Sequence, residues 1–518
     1  MKLRVRIFSI ILVICALAGA IVYARSDRGI FEEYSIFNRN RTTVRIWYTD
    51  EALTPYLQSR AVAYSESNSD VRIEPVLVSG LEYLEAVNRA SVDEEDFPDL
   101  YIITNDSLEK AYQANLASKI DADPNYLSES RFPSAAINSV TYQDKQIAYP
   151  FYFETSTLVY NKTYLENMAT ETLQSELDIA EGEAAQEAFD AAISSAGDPA
   201  SEGAIEDSEE DSSDDEGADD GIIEEDELPP EITQEKIEQY VMDSIPVSVS
   251  QILTFADNYN APEEVESVFV WDVTDIFYNY FFVGNYMDVG GVAGDDVNLI
   301  DIYNTDTVSC MKIYQQLNQF FAIDPDEISY DKVVQDFIDG KYVFTIATTD
   351  IIEKIEEAQA SGECEYEFEV ADMPGLSDNF GSRTMSVTDC LVVNGYSEHP
   401  KEANAVARFL ISDNSGDIYK LSHKVSAKTG VNYDNPNLDA FVSAYADSVP
   451  MPKTIETSNL WVELEIAFTN IWNGEDCNDT LREVSEKIMT QVTGQPYTEE
   501  IIPDPEVDIT SELTEDND

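Results

Sequence analysis

The sequence predicts an α/β fold built on a parallel, doubly wound sheet. Three segments, TVRIWYTD (43–50), DVRIEPVLVS (70–79) and FPDLYIITND (97–106), have the composition of strands, and a helical segment follows each of them. The third is nearly all apolar before Asn105, as expected for a strand covered on both faces. Strands that alternate with helices at this spacing are typical of parallel sheets. A chain of 518 residues is long enough for two or three domains.

Carboxylates follow the predicted strands. Ligands of such sheets bind beyond the carboxyl ends of strands, and Asp50, Asp106 and Glu154 each fall at such an end. Residues 147–154 (IAYPFYFE) alternate as a strand, so that Tyr152 and Glu154 share a face. A carboxylate beside so many aromatic rings is unusual in a core strand, which makes Glu154 a candidate functional residue.

The net charge of −72 excludes some classes of partner. Residues 163–235 contain 26 Asp and Glu and no Lys or Arg, and the rest of the chain is acidic as well. Nucleic acids and anionic lipids are bound through Lys and Arg, so neither is expected as a partner. Residues 170–235 are acidic and of low complexity, which predicts a disordered insertion. Residues 494–518 form an acidic tail that we expect to be loose.

The N-terminal residues predict export. Basic residues precede an apolar run at 7–23, so residues 1–24 are interpreted as a signal peptide or a membrane anchor, with residues 25–42 as a stalk. Cys15 is interpreted as an apolar residue of this segment. A signal peptide and a membrane anchor both predict that the body of the protein lies at the outer face of the cell membrane.

The remaining cysteines do not have the spacing of metal ligands. Small buried hydrophobes are the favoured interpretation, although their pairing in disulfides stays open, with three possible connectivities. Only two histidines occur, which argues against a His-rich metal site, and no cofactor is expected. The cysteines concerned are Cys310, Cys364, Cys390 and Cys477.

Regular structure is predicted again after residue 232. The segment 266–291 is the most aromatic of the chain, 305–321 has the pattern of an amphipathic helix, and 331–350 reads as a helix, a glycine turn and a strand. Two further strand patterns, EYEFEVADMPG and RTMSVTDCLVVNG, precede a series of helices that ends near residue 493.

The order of these blocks resembles the family 1 extracellular solute-binding proteins, the maltose-binding-protein-like components of ABC transporters. The resemblance covers about residues 43–168 and 245–493. It rests on TTVRIWYTD, FPDLYIITNDSLEKAYQANLASKI, YQDKQIAYPFYFETSTLVYNKTYL, FIDGKYVFTIATTD and HPKEANAVARFL.

The resemblance implies a two-lobed periplasmic-binding-protein-like fold of type II, with hinge strands between the lobes and a solute bound in the cleft. The resemblance also implies that the protein has no enzymatic activity. The N-terminal lobe would comprise residues 43–152 and 386–430. The C-terminal lobe would comprise residues 153–169, 236–385 and 431–493.

Carried over position by position, the resemblance also implies site residues. Glu154 stands where the family has a sugar-contacting carboxylate, Asp106 matches a ligand carboxylate, and Trp461 matches a tryptophan that stacks under sugar. Asp350 replaces another tryptophan of the maltodextrin binders, and Ile103 and Ser107 replace an aromatic and a basic residue. These departures argue against maltodextrin itself and leave another oligosaccharide as the expected solute. Further candidates are Tyr152, Trp271, Asp272, Tyr278 and Tyr280.

The function implied is that of a monomeric, membrane-tethered solute-binding protein, with an oligosaccharide and the permease subunits of an ABC importer as partners. Two alternatives stay open from the sequence. One is a ligand sensor or scaffold of the same fold that works without an importer. The other is a glycan-active enzyme that uses two carboxylates, such as Glu154 and Asp106.

Overall fold

The computed structural model describes residues 41–93, 97–123, 125–195, 232–412 and 417–509. The predicted N-terminal segment and nearly all of the predicted stalk lie outside the described residues. Within the described part of the chain, no helix is long and apolar enough to cross a membrane.

Short and long strands form one large sheet and a small hairpin. The strands are β1 (Thr42–Tyr48), β2 (Val71–Leu77), β3 (Leu100–Thr104), β4 (Thr141–Tyr142), β5 (Lys145–Gln146), β6 (Tyr149–Asn161), β7 (Ser267–Phe269), β8 (Tyr342–Thr348), β9 (Phe368–Ala371), β10 (Met385–Val393), β11 (Val425–Ser426) and β12 (Val449–Pro450).

Helices cover the sheet and connect its strands. They are α1 (Thr54–Ser67), α2 (Tyr83–Asp93), α3 (Leu108–Gln113), α4 (Ser134–Ser139), α5 (Lys162–Ser195), α6 (Gln234–Ser244), α7 (Val249–Asn258), α8 (Ile276–Asn279), α9 (Thr305–Phe321), α10 (Tyr330–Ile338), α11 (Asp350–Ser361), α12 (Pro400–Leu410), α13 (Asp417–Ser422), α14 (Asn437–Asp447), α15 (Leu460–Trp472) and α16 (Cys477–Thr493).

The large sheet has two halves that share β6. The first half has the order β2-β1-β3-β10-β6, and the second has the order β6-β8-β7, with β9 also paired to β6. Residues 149–155 of β6 pair with β10, and residues 156–160 pair with β8. One continuous strand therefore passes from one half of the molecule to the other. This confirms a mixed α/β fold, while the lobe boundaries drawn from the sequence stay a prediction.

Strand direction agrees with the sequence pattern in the first half. β1 pairs in parallel with β2 and β3, as the alternation of strands and helices predicts. The later strand β10 is antiparallel to both β3 and β6. It is inserted between them, so strands far apart in the chain become neighbours in the sheet.

The aromatic segment fills the core of the second half. Trp271 is fully buried, stacks on Phe269 at 4.7 Å between ring centroids, and meets Trp472 edge to face at 5.5 Å. Its indole N–H donates to Asn279 Oδ1 at 2.8 Å. The four cysteines in the described residues are free and buried, which confirms that they act as small apolar residues.

The prediction of a disordered insertion over 170–235 is wrong at both of its ends. Helix α5 continues to Ser195, and α6 begins at Gln234. Residues 170–195 are rich in Ala, Glu, Gln and Leu, which are strong helix formers. A helix nucleated on a packed first turn is extended at little cost, so local propensity outweighs the low hydrophobicity. Residues 196–231 lie outside the described residues.

The expectation of a loose tail from residue 494 is also wrong for its described part. Asp504 pairs with Lys312 of α9 at 2.6 Å, and Ile509 is buried. Gln316 donates to the carbonyl of Val507 and accepts from the amide of Ile509. The acidic tail therefore packs against α9 through Lys312 and Gln316. The composition of the tail alone does not predict these contacts.

Deleting residues 179–230 and joining α5 to α6 with a short Gly/Ser linker should change the melting temperature by no more than a few degrees. The described residues at 179–190 are exposed, so removing them takes away few packing contacts. Thermal unfolding followed by circular dichroism checks this. Leu165→Ala, which truncates a fully buried side chain near the start of α5, is the control and should lower the melting temperature clearly. Loss of cooperative unfolding on deletion would contradict the prediction.

Candidate functional site

Two of the predicted carboxylates follow strands of the first half of the sheet. Asp50 lies two residues beyond β1 and accepts a hydrogen bond from the amide of Ala52 at 2.9 Å. Asp106 lies two residues beyond β3, and its Oδ1 accepts from Thr104 Oγ1 at 2.5 Å. Both carboxylates are thus held by their own chain at one edge of the sheet. Because β1 and β3 are paired in parallel, their carboxyl ends lie next to each other.

Glu154 lies in the middle of β6 rather than at a strand end, which corrects the sequence prediction. The strand runs on to Asn161 because residues 156–160 pair with β8 in the second half. The side chain of Glu154 is 43% exposed. Glu154 therefore stands where β6 passes from one half of the sheet to the other.

Lys424 joins two of these carboxylates, and sequence reasoning missed it. Its Nζ lies 3.0 Å from Asp50 Oδ2 and 3.4 Å from Glu154 Oε1. The same ammonium lies 5.5 Å from the centroid of the Tyr152 ring. The charges of Glu154 and Asp50 outweigh the effect of burial, so the pKa of Lys424 is raised. Nothing in the pattern SHKVS marks this lysine, because only the fold brings it to the carboxylates.

Asp389 adds a third carboxylate to this cluster. It lies on β10 opposite Tyr152 of β6. Burial and the nearby charge of Glu154 raise the pKa of Asp389 to about 7, although Lys424 and a hydrogen bond from Tyr152 act in the opposite direction. The sequence placed Asp389 within a strand and gave no sign of a role in the site.

Asp350 follows β8 in the second half of the sheet. β6 pairs Ser156 with Thr348 of the antiparallel β8, so Glu154 and Asp350 lie two residues beyond this pair in the same direction. Asp350 accepts from Tyr330 OH at 2.6 Å and from Thr348 Oγ1. The sequence predicted Asp350 as an acceptor for solute hydroxyls, and in the structure protein donors already occupy it.

Lys354 completes the surroundings of Asp350. Its Nζ lies 2.8 Å from Asp350 Oδ2. Although burial acts to raise it, the pKa of Asp350 is lowered by hydrogen bonds from Lys354, Thr348 and Tyr330. Tyr278 stacks on Tyr330 with 4.5 Å between centroids, so a pair of stacked rings lies beside this carboxylate.

Trp461 is half-buried in the first turn of α15. It meets the ring of Tyr280 edge to face, with 6.3 Å between the centroids. This contact orients the indole ring and leaves part of it open to solvent. A ring held in this manner is suited to stack on the apolar face of a sugar.

The other candidates are too enclosed to contact a solute in this conformation. Trp271 and Tyr280 are fully buried. Asp272 is 5% exposed, and its Oδ1 accepts from both the amide and the hydroxyl of Thr274. We therefore leave these three residues out of the proposed site. Tyr152 is also buried, but its ring forms the wall behind Lys424.

The arrangement offers acceptor oxygens beside aromatic rings. A carboxylate oxygen accepts hydrogen bonds from hydroxyl groups, and a planar ring packs against apolar C–H surface. The site is therefore chemically suited to a polyhydroxylated solute. Among the described residues, no group of His, Cys, Asp and Glu has the arrangement of a metal site.

No protein-family model matches the sequence, and no curated protein matches it. Solved structures match along most of the chain. An extracellular solute-binding protein from Staphylococcus aureus in complex with maltose shares 16% identity, covers 87% of this chain and 98% of its own, and gives a TM-score of 0.64. A cyclo/maltodextrin-binding protein complexed with maltotetraose shares 18% identity. It covers 88% of this chain and 97% of its own, and gives a TM-score of 0.64.

A maltose-binding periplasmic protein from Listeria monocytogenes in complex with maltose gives a TM-score of 0.62 at 17% identity, with 88% of this chain and 99% of its own covered. The protein therefore has the two-lobed α/β fold of extracellular solute-binding proteins. Within that class, these three similar structures are those of proteins in complex with maltose or maltotetraose. The resemblance seen in the sequence is confirmed at the level of the fold.

Proposed function

We propose that the protein is an extracellular solute-binding protein that captures an oligosaccharide between its two lobes and delivers it to an ABC importer. The observation that carries the proposal is the position of Glu154. This partly exposed carboxylate lies where β6 passes between the two halves of the sheet. A solute bound there would touch both halves at once, as hinge closure requires.

The sugar class of the solute is supported by the chemistry of the site and by the solved structures of the same fold. Those proteins were observed with maltose and maltotetraose. In this chain the acceptors would be Glu154 and Asp106, and Trp461 would supply the stacking surface. Asp350 and Ser107 stand where the maltodextrin binders have other residues, so the proposed solute is a different oligosaccharide.

The lobes would move as units about the strands that connect them. Solute binding would favour the closed arrangement by the difference in affinity between the two states. The predicted N-terminal segment would hold the protein at the outer face of the cell membrane, where permease subunits receive the solute. We propose that it acts as a monomer without a cofactor and without catalysis.

A thermal-shift screen followed by calorimetry tests this function. The panel contains maltose, maltotetraose, other oligosaccharides, amino acids and short peptides. We expect at least one oligosaccharide to raise the melting temperature, because a ligand that binds only the folded protein stabilises it. X-ray scattering should then show a smaller radius of gyration with that sugar. Binding of amino acids or peptides and of no sugar would contradict the proposal.

A further inference from the structure

Lys424 is fixed beside the candidate site by the sheet. It directly precedes β11, and β11 pairs with β6 through Val425 opposite Phe153 and Ser426 opposite Tyr152. The backbone of Lys424 is therefore held next to that of Glu154. Only 23% of its side chain is exposed, so most of its aliphatic part is packed against protein.

The ammonium of Lys424 engages one oxygen of each of two carboxylates. Both carboxylate oxygens of Asp50 have a partner, since Oδ1 accepts a hydrogen bond from the amide of Ala52 and Oδ2 faces Lys424. Glu154 contacts Lys424 through Oε1. Held at that oxygen, the carboxylate presents Oε2 as its other acceptor. The lysine thus sets the direction in which Glu154 offers an acceptor to the cleft.

The other basic groups beside the site are paired with other carboxylates. His423 turns away from Lys424, and its Nδ1 lies 2.7 Å from Glu353 of α11. Lys354 is paired with Asp350. Asp389 faces the cluster from β10. Lys424 is thus the cation that lies among Asp50, Glu154 and Asp389.

We propose that Lys424 is a positioning residue for solute binding, which is anchored by Asp50 and holds Glu154 in the orientation that receives hydroxyl groups of the solute. The inference rests on the proposed function and adds to it a residue that neither the sequence pattern nor the fold comparison marks. Without the ammonium, Asp50, Glu154 and Asp389 repel one another. Oε2 of Glu154 then loses its fixed direction.

The protonation state of Asp389 shows whether the charge of Lys424 acts on this cluster. The pKa of Asp389 is raised to about 7 by burial and by the charge of Glu154, and the charge of Lys424 opposes this rise. Removing the lysine should therefore raise the pKa of Asp389 further, so that Asp389 keeps its proton to a higher pH. A lysine whose ammonium did not lie beside this cluster would leave the titration of Asp389 unchanged.

The test compares Lys424→Met, Lys424→Arg and the control Lys420→Met in the full chain. Lys420 is an exposed lysine of α13 that pairs with Asp434 at 3.7 Å. With the best sugar of the panel, Lys424→Met should weaken affinity about tenfold, as expected for loss of a charged hydrogen-bonding group. Lys424→Arg should restore most of the affinity, and Lys420→Met should match the unaltered protein. Carboxyl NMR should show a higher titration midpoint for Asp389 in Lys424→Met alone.

The outcomes separate the two proposals. If the unaltered protein binds a sugar and Lys424→Met binds it as well or better, the positioning role is wrong while the proposed function stands. An unchanged titration of Asp389 in Lys424→Met would equally overturn the positioning role. If the unaltered protein binds no sugar of the panel, the proposed function fails and the inference fails with it.

Discussion

Trp271→Ala is expected to lower the free energy of unfolding by about 3–5 kcal/mol, the usual cost of truncating a buried aromatic residue. The ring is fully buried between Phe269 and Trp472, so its removal leaves a cavity lined by other rings. The substitution also removes the donor to Asn279 Oδ1. A buried acceptor without a partner adds its own cost. Urea denaturation followed by far-ultraviolet circular dichroism measures the effect.

Trp271→Phe serves as the matched variant because it keeps an aromatic ring and loses the indole N–H. Its stability should fall between those of the unaltered protein and Trp271→Ala. Trp461→Ala should lower stability much less than Trp271→Ala, because the ring of Trp461 is only half-buried. Equal losses for the two alanine variants would mean that Trp461 is a core residue as well.

The contrast between these tryptophans shows what the sequence could not decide. The segment 266–291 was recognisable as aromatic, but its rings follow no clear period that separates a buried face from an exposed one. Trp271 is enclosed because α9 and α15 close over it from positions far along the chain, through Phe321 and Trp472. Long-range packing of this kind leaves no mark on the local pattern.

The sheet was predictable where strands and helices alternate. β1, β2 and β3 match the predicted strands because apolar runs bounded by helical segments identify parallel strands. The length of β6 was not predictable, because its second part is fixed by pairing with β8, almost 200 residues away. For the same reason the sequence placed Glu154 at a strand end.

The candidate site was predictable only in part. Glu154 and Asp106 came from motif resemblance, and in the structure Asp106 follows β3 while Glu154 lies where β6 crosses between the halves of the sheet. Lys424 and Asp389 lie on segments that read as ordinary helix and strand. Their role depends on which side chains the fold places within a few ångströms, and sequence spacing carries no information about that distance.

The second large effect is expected on solute affinity. Trp461→Ala should weaken binding of the best sugar by about 2 kcal/mol, in the range of an aromatic hot spot, which is roughly a 30-fold change in Kd. Glu154→Gln keeps the shape of the side chain but loses the charge, and it should cost about 1–2 kcal/mol. Titration calorimetry gives both values. Val462→Ala is the control on the same helix, since Val462 is exposed and has no proposed contact with the solute.

The affinity changes are informative only beside the stability of the solute-free variants. If Trp461 and Glu154 line the cleft, both variants should unfold close to the midpoint of the unaltered protein, because each side chain is partly solvent-exposed before the solute arrives. Glu154→Gln also removes one ion pair of Lys424, which would keep its ion pair with Asp50 at 3.0 Å. Unchanged affinity in Trp461→Ala, together with a strongly destabilised fold, would assign Trp461 to the core. The stacking surface would then have to come from another ring at the cleft.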